Sequence, residues 1–514
     1  MSRYCTISRT VPLAESAKSF LCDYEDNNED KIMSGIFSNL KYVWYASGRR
    51  VQVIESRTGK RVASWTFDPL SKDNTRIIYL SEIPCLSKEI PLLIIGLECA
   101  LTGGTICIFD ILTSKILRSI QMKDIVSYIH IIDCGSNIFP ILGPLNTFDG
   151  VVAVGLVGGD VLLVDLCQQC IDDARASNAA EDFIGEIDVC QIIPLTIKDI
   201  HAIEDHKQKA IQSGSHLSII LNDVLNTKLP HFILKGPKGE DRIRFNKADV
   251  LVTSLFYSPQ LGSLLVGYNF GAWQIWNIVN MTLVYTSPVY EENIPVSHFA
   301  MQEPADDPRA FCYVWAIYSN TDVDRDGFPI AVMYSLNYEV KDFHEGYGYL
   351  YQDLQSCAVR FQTELAAVGD HSEDIKGARC LRLTAFNKGC SSRTSVQDSH
   401  EDTLTICSMV WNAWGTKGVD TYMSIFDLNQ WYKEQMPSSP QQNCSTYLSY
   451  ICVSDIIDEV GNNSYVLDVL IDEGSINQFI GIQKPEEHYY PSALAYGNIS
   501  TLRVLYRVII SINF

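Results

Sequence analysis

Apolar residues come in short runs along this chain, separated by glycine and polar turns, and the stretch from Ser254 shows the pattern in full. Leu255–Tyr257 is a first apolar segment, closed by Pro259 and Gly262. Ser263–Tyr268 is almost continuously apolar, as a strand covered on both faces is. Gly271 turns the chain, and Ala272–Asn277 then alternates, with Trp273, Ile275 and Asn277 on one side and Gln274 and Trp276 on the other. Leu283–Thr286 completes four short strands. Four strands with a glycine turn and a late Trp-Asn dipeptide predict one blade of a propeller.

The unit recurs. Leu92–Leu97 is followed by Gly103-Gly104, Thr105–Asp110 and Lys115–Ile120; Val151–Leu156 is followed by Gly158-Gly159 and Asp160–Asp165. Each copy has an apolar strand with a late glycine, a glycine turn, and a strand ending in Asp or Asn. Asp110 and Asp165 lie 55 positions apart, more than the roughly 40–50 of a compact propeller repeat, so the blades carry insertions. An unrelated β-sandwich is the alternative, but a single blade cannot bury both its faces, and repetition calls for packing around an axis.

The predicted fold is therefore all-β: a seven-bladed β-propeller with helical and loop insertions on the rim. A first blade takes Tyr42–Ala46, Arg50–Ile54 and Arg61–Phe67. The second and third open at Ile77–Leu80 and Ile125–Ile132. The fourth is the Ser254 stretch. A fifth runs from Ser297 through Phe311–Tyr318 to Ile330–Leu336, a sixth takes Leu404–Trp411 and Thr421–Asp427, and a seventh takes Leu448–Val453 and Tyr465–Ile471. Six or eight blades are the alternatives. Residues 1–40 form an N-terminal segment, with a candidate closing strand at Thr6–Leu13, the acidic stretch Asp23–Asp30 as solvated linker, and a short amphipathic piece at Lys31–Leu40. The propeller spans 41–487 and 488–514 diverges. Segment 167–246 reads as a rim insertion with a helix at Ile197–Gln212, and 369–400, mostly polar, as a mobile loop.

Length alone, 514 residues, suggests three or four domains, but one closed ring can absorb them. A hydrophobic fraction of 46% and an aromatic fraction of 11% support a large core. The formal net charge of −21 argues against phosphate-backbone binding as the main activity, which needs clustered Lys and Arg. The 16 cysteines are scattered, and Met1–Cys5 leads into no apolar signal segment, so reduced thiols and an intracellular setting are expected. No apolar run approaches the roughly 18 residues that span a bilayer, so no membrane insertion is expected.

Catalytic and metal motifs resolve into simpler features. Asp322-Val-Asp324-Arg-Asp326-Gly327 resembles the start of a calcium loop, but Ile330 and Met333 stand where the ninth and twelfth ligands are needed, so a polar turn is the better reading. Cys167-Gln-Gln-Cys170 has metal-type spacing without a second pair. Gly155–Gly159 lacks the helix of a dinucleotide site, and no Gly-x-Ser-x-Gly elbow is present. No cofactor and no small-molecule substrate are expected, and no residue is nominated as catalytic. An axial enzyme site, drawing single residues from several blades, remains the rival, and facing carboxylates or a metal on the axis would favour it.

Polar sequence that no core requires is more informative. Gln302-Glu-Pro-Ala-Asp-Asp-Pro-Arg309 sits between two apolar strands, stiffened by two prolines. Within it Gln302, Glu303, Asp307 and Arg309 are candidate protein-interaction residues. Asn429–Pro437 follows a strand, and Trp431, Tyr432 and Met436 could share one apolar face, which either caps its own blade or binds a partner. Arg242, Arg244 and Lys247, after Gly236-Pro-Lys-Gly239, form a candidate basic patch.

Six segments resemble the N-terminal β-propeller of the ELYS nucleoporin family: Leu93–Glu98; Val161–Cys167; Leu265–Tyr268 with Trp276-Asn277; Gln302–Arg309 with Cys312–Ala316; Phe426–Pro437; and Asn443-Cys-Ser445. The likeness runs in order over roughly residues 40 to 495, and the Gln302–Arg309 and Phe426–Pro437 segments are its most specific parts. The resemblance implies a seven-bladed propeller, a nuclear location at the nuclear envelope and nuclear pore complex, and a non-enzymatic scaffold role in pore assembly and envelope anchoring. It implies docking to outer-ring Y-complex nucleoporins. Direct binding to nucleosomes or chromatin is the alternative. The family's propeller is followed by a long helical region and a basic tail with AT-hook DNA-binding motifs; neither appears in this sequence, so tethering by that tail does not carry over.

Overall fold

The computed structural model describes residues from 33 to 452 with gaps, the longest being 174–191, 196–217 and 389–403; residues 1–32 and 453–514 lie outside it, and for 192–246 and beyond 440 the description is of backbone alone. Six antiparallel sheets follow one another along the chain. The first is β1 (Met33–Ile36), β2 (Tyr42–Ser47), β3 (Arg50–Glu55) and β4 (Arg61–Thr66); the second is β5 (Thr75–Ile83), β6 (Leu92–Cys99), β7 (Gly103–Asp110) and β8 (Lys115–Gln121). The third is β9 (Val126–Asp133), β10 (Val151–Leu156), β11 (Val161–Asp165) and β12 (Ile192–Leu195). A separate three-stranded sheet, β13 (Ser218–Asn222), β14 (His231–Lys235) and β15 (Asp241–Asn246), comes next in the chain.

The fourth blade is β16 (Val252–Ser258), β17 (Ser263–Tyr268), β18 (Trp273–Asn277) and β19 (Thr282–Thr286). The fifth is β20 (Val296–Gln302), β21 (Phe311–Tyr318), β22 (Ile330–His344) and β23 (Gly348–Glu364); the sixth is β24 (Ile375–Lys388), β25 (Leu404–Gly415) and β26 (Gly418–Asp427). Two late strands join them: β27 (Gln441–Gln442) pairs parallel to β23, and β28 (Leu448–Cys452) pairs antiparallel to β26.

The first strand of each blade touches the first strand of the next, β1 to β5, β5 to β9, β9 to β16, β16 to β20 and β20 to β24. These are the inner strands of a propeller. Direct contact of β9 with β16 leaves the β13–β15 sheet outside the inner ring.

Five apolar clusters join the six blades pairwise. Alternate side chains of one strand serve opposite neighbours: Leu264 and Val266 pack toward the third blade, while Leu265 packs toward the fifth. That double burial is why the middle strands are continuously apolar. The late glycine of β10 has a packing reason. A methyl group on Gly155 would sit 2.6 Å from Val252 Cβ on the next blade's inner strand. Gly267 stands in the same relation to Val296.

The terminal Asp or Asn of the third strand caps the turn that follows. Asp110 accepts hydrogen bonds from the Leu112 amide (3.0 Å) and the Thr113 hydroxyl (3.2 Å), and Asn277 accepts from the Val279 (2.9 Å) and Asn280 (3.2 Å) amides.

Three expectations need correction. The propeller class holds, but six blades are seen among the described residues rather than seven, because Leu448–Cys452 hydrogen-bonds to β26 and is the outer strand of the sixth. The piece expected as amphipathic at Lys31–Leu40 contributes the strand β1. Segment 369–400, expected as a loop, contains β24, whose Ala378, Cys380 and Leu383 are buried while Arg379 and Arg382 are not. Thr6–Leu13, Ile197–Gln212 and Tyr465–Ile471 lie outside the described residues, as do Cys167 and Cys170 and the acidic turn from Asp322 to Asp326.

Candidate functional site

The Gln302–Arg309 segment leaves the end of β20 and is held from its first residues. Gln302 is fully buried, and its side-chain carbonyl accepts from the Trp315 indole at 2.7 Å. The Glu303 amide donates to Asn387 Oδ1 at 3.2 Å. Asn387, on β24, also donates to the Met301 carbonyl at 3.0 Å and accepts from the Thr405 hydroxyl at 2.8 Å, so one amide side chain stitches the fifth blade to the sixth. The Glu303 carboxyl is buried, and burial pushes its pKa up to about 7 against the opposing effects of the Tyr351 hydroxyl and the Lys341 ammonium. Arg309 is exposed, with its guanidinium carbon 5.1 Å from the centre of the Phe311 ring. Asp307 lies outside the described residues.

The same end of the blade carries a projection. Strands β22 and β23 are 15 and 17 residues long, and their pairing continues past Asn337, where β21 stops. Beyond it a two-stranded ribbon runs out to His344 and Gly348. Lys341 Nζ stands 4.2 Å from the centre of the Tyr349 ring, and Phe343 meets Tyr349 edge-on at 5.4 Å. Phe343 is 46% exposed near the ribbon tip, where its ring is open to a partner. The Tyr338 amide donates to the Ala310 carbonyl (2.8 Å) and the Tyr351 amide to the Gln260 carbonyl (2.9 Å), which anchors the ribbon beside Arg309 and to the fourth blade. Sequence reasoning did not single out this ribbon. The available signal was the alternation of aromatic residues on both sides of Gly346 and Gly348.

Trp431 is fully buried. It meets Tyr313 edge-on at 5.8 Å and Phe426 at 6.3 Å, with the Arg360 guanidinium 6.0 Å from its ring centre. In this position it caps the core between the fifth and sixth blades. Tyr432, Met436 and Lys247 lie outside the described residues; Arg242 and Arg244 are two positions apart on β15, which pairs with β14. The structure thus brings Gln302, Glu303 and Arg309 together with the ribbon, and places Trp431 in the core.

Cysteine chemistry is subdued where it is described. Cys357 and Cys380 are buried thiols whose pKa is pushed up to about 12 by burial, away from the thiolate form. Among the described residues no group of three or more His, Cys, Asp or Glu side chains is placed to hold a metal, and no helix is long and apolar enough to cross a membrane.

The sequence matches the family described as "beta-propeller of ELYS nucleoporin" over residues 20–232 and 242–505. It is 25% identical to Protein ELYS of Xenopus laevis over 91% of this chain and 18% of that protein, and 26% identical to Protein ELYS of Homo sapiens over 87% of this chain and 19% of that protein. The chain thus spans less than a fifth of the length of these relatives. Among solved structures it is similar to the C-terminal WD40 domain of Sif2 (TM-score 0.35, 10% identity, 86% of this chain and 90% of that one). It is also similar to the Chaetomium thermophilum Nup170 N-terminal domain in complex with Nup53 (TM-score 0.35, 9% identity, 76% of this chain and 48% of that one). With most of its length matched to that family, the chain belongs to the ELYS nucleoporin β-propeller family, proteins of the nuclear pore complex at the nuclear envelope.

Proposed function

We propose that this propeller is a non-enzymatic scaffold domain that docks to outer-ring Y-complex nucleoporins and so contributes to pore assembly and envelope anchoring. The family match over residues 20–232 and 242–505 carries the reading. The fifth blade supplies a surface suited to it. Arg309 and Phe343 are exposed on a ribbon-and-loop projection fixed by buried contacts at Gln302 and Glu303. An exposed aromatic and an exposed arginine on one blade are residue types enriched at protein-binding surfaces, and a preformed hairpin binds with little ordering cost.

The test is affinity capture from nuclear extract with the full chain, beside the double variant Arg309→Glu, Phe343→Asp. Both substitutions lie on the surface and leave the core intact; circular dichroism checks the fold. Recovery of outer-ring nucleoporins by the wild type and not by the variant supports both docking and this surface. Recovery by both keeps the function and moves the surface elsewhere. Recovery of nucleosomes instead, lost in Arg242→Glu, Arg244→Glu and falling steeply with salt, supports the chromatin alternative.

A further inference from the structure

The first blade is charged unlike the chain as a whole. Between Lys41 and Phe67 it carries six cations, Lys41, Arg49, Arg50, Arg57, Lys60 and Arg61, against one carboxylate, Glu55, in a chain of net charge −21. All six cationic residues are exposed. They divide between the two ends of the blade. Arg49 and Arg50 stand at the turn from β2 to β3, and Lys41, Arg57, Lys60 and Arg61 at the end where β3 gives way to β4.

The second of these ends is held by a network of hydrogen bonds. Register sets Arg61 opposite Ile54 and Tyr42 opposite Glu55, so Lys41 and Arg61 flank the end of β3 on either side. The Ser56 amide and hydroxyl both donate to the Lys41 carbonyl at 2.8 Å. The Gly59 amide donates to the Glu55 carbonyl (2.8 Å) and the Glu55 amide to the Lys60 carbonyl (2.9 Å), with Gly59 in the left-handed region at φ 68°. The Thr58 hydroxyl donates to the Glu55 carboxylate at 2.6 Å. Four cations thus stand on one fixed turn and the strand ends beside it. Neighbouring strands lie about 4.8 Å apart, so the backbone that carries them is only about 10 Å across.

That size decides the kind of partner. Duplex DNA and an anionic bilayer present charge over distances well beyond the screening length of about 8 Å at physiological salt. Either one, laid on this end of the first blade, would extend over neighbouring blades as well. The equivalent end of the third blade is acidic. At the end of β11, the counterpart of β3, Asp149 and Asp173 are exposed, and Gln169 ties them together through its amide (2.6 Å to Asp149) and its side chain (3.0 Å to Asp173). A short acidic segment touches the cations alone. We propose that the end of the first blade formed by Lys41, Arg57, Lys60 and Arg61 docks a short Asp- and Glu-rich segment of a partner protein. Lysine and arginine supply charge-assisted hydrogen bonds to its carboxylates, and the negative charge elsewhere on the chain disfavours broader anions. The site is separate from the fifth-blade projection, so either surface can fail without the other.

The full chain is titrated, by fluorescence anisotropy, into a labelled peptide of about eight Asp and Glu residues, long enough to cross the patch at about 3.3 Å per residue. A labelled DNA duplex and phosphatidylserine vesicles are run in the same buffer. The expected result is saturable peptide binding that weakens as NaCl rises. The double variant Lys60→Glu, Arg61→Glu should weaken it about tenfold or more, the loss of one or more charge-assisted pairs. Arg49→Glu, Arg50→Glu changes the net charge by the same amount at the other end of the same blade and should bind close to wild type. Should the first variant fail to fold, Lys60→Gln, Arg61→Gln reads the same direction with a smaller loss. A folded wild type that does not bind the peptide overturns the proposal. Equal losses in the two double variants also overturn it, because net charge and not this end of the blade would then govern binding. Duplex or vesicle binding tighter than peptide binding, and lost in Lys60→Glu, Arg61→Glu, overturns the peptide in favour of the broader anion.

Discussion

A single missing side chain sets the spacing between the third and fourth blades. The place a Gly155 Cβ would occupy lies 2.6 Å from both Cβ and Cγ1 of Val252, and Val252 is a β-branched residue held on an inner strand, not the flexible end of a long chain. Neither backbone can yield without disturbing the apolar cluster that joins the two blades. Gly155→Ala is therefore expected to cost about 1–3 kcal/mol, the usual penalty for forcing atoms into a packed core. A drop in the urea midpoint at unchanged slope is the expected observation. Pairing it with Val252→Ala should recover part of the loss, because the clash needs both groups. An unchanged midpoint for Gly155→Ala would mean the blades are not packed as described.

At the scale of elements, the junction of β20, β22 and β23 has its own pH signature. The Glu303 carboxyl has its folded pKa raised to about 7 from 4.5, so between those values the folded chain holds a proton that the unfolded chain releases. Its contribution is fully present below pH 4.5 and is lost as pH rises toward 7. His130 and His298, lowered by burial to about 4, act the opposite way: their contribution is full above pH 6.5 and is lost as pH falls toward 4. Glu303→Gln removes the opposing carboxyl. Its stability should then fall more steeply than wild type's between pH 6.5 and 5, and compare best with wild type above pH 7. Urea midpoints at four pH values read this directly, and parallel curves would mean an unperturbed Glu303. Elements differed in how far their patterns revealed them. Strands β6, β10 and β17 are legible because both faces are buried, which writes an unbroken apolar run. Strand β24 reads as loop in the sequence because its buried set, Ala378, Cys380 and Leu383, is shifted by a bulge and interleaved with the half-buried Arg379 and Arg382. Of the candidate site, Gln302–Arg309 stood out as sequence a core does not need. Yet Gln302 and Glu303 are buried, since a polar residue can be held inside by a partner such as Trp315 on the neighbouring strand.

At the scale of the whole molecule, blade number was not legible, because it depends on which distant strands pair. Leu448–Cys452 has the apolar composition of a new blade's strand, and only its hydrogen bonds to Tyr422–Phe426 make it the rim of the sixth. Net charge, by contrast, is legible in full and has a consequence for the ring. A chain of −21 repels itself, and packing the blades side by side brings those charges together. The exposed pair Arg76–Glu98 offsets this little: the two meet at 2.9 Å, but with side chains 56% and 29% exposed such a pair contributes at most about 1 kcal/mol. Raising ionic strength from about 0.01 M to 0.15 M shortens the screening length from about 30 Å to about 8 Å, which silences repulsion between blades before it silences contact pairs. The melting temperature should therefore rise with NaCl over that range and then level off. A fall over the same range would mean that attractive pairs, not net repulsion, govern the electrostatics of the propeller.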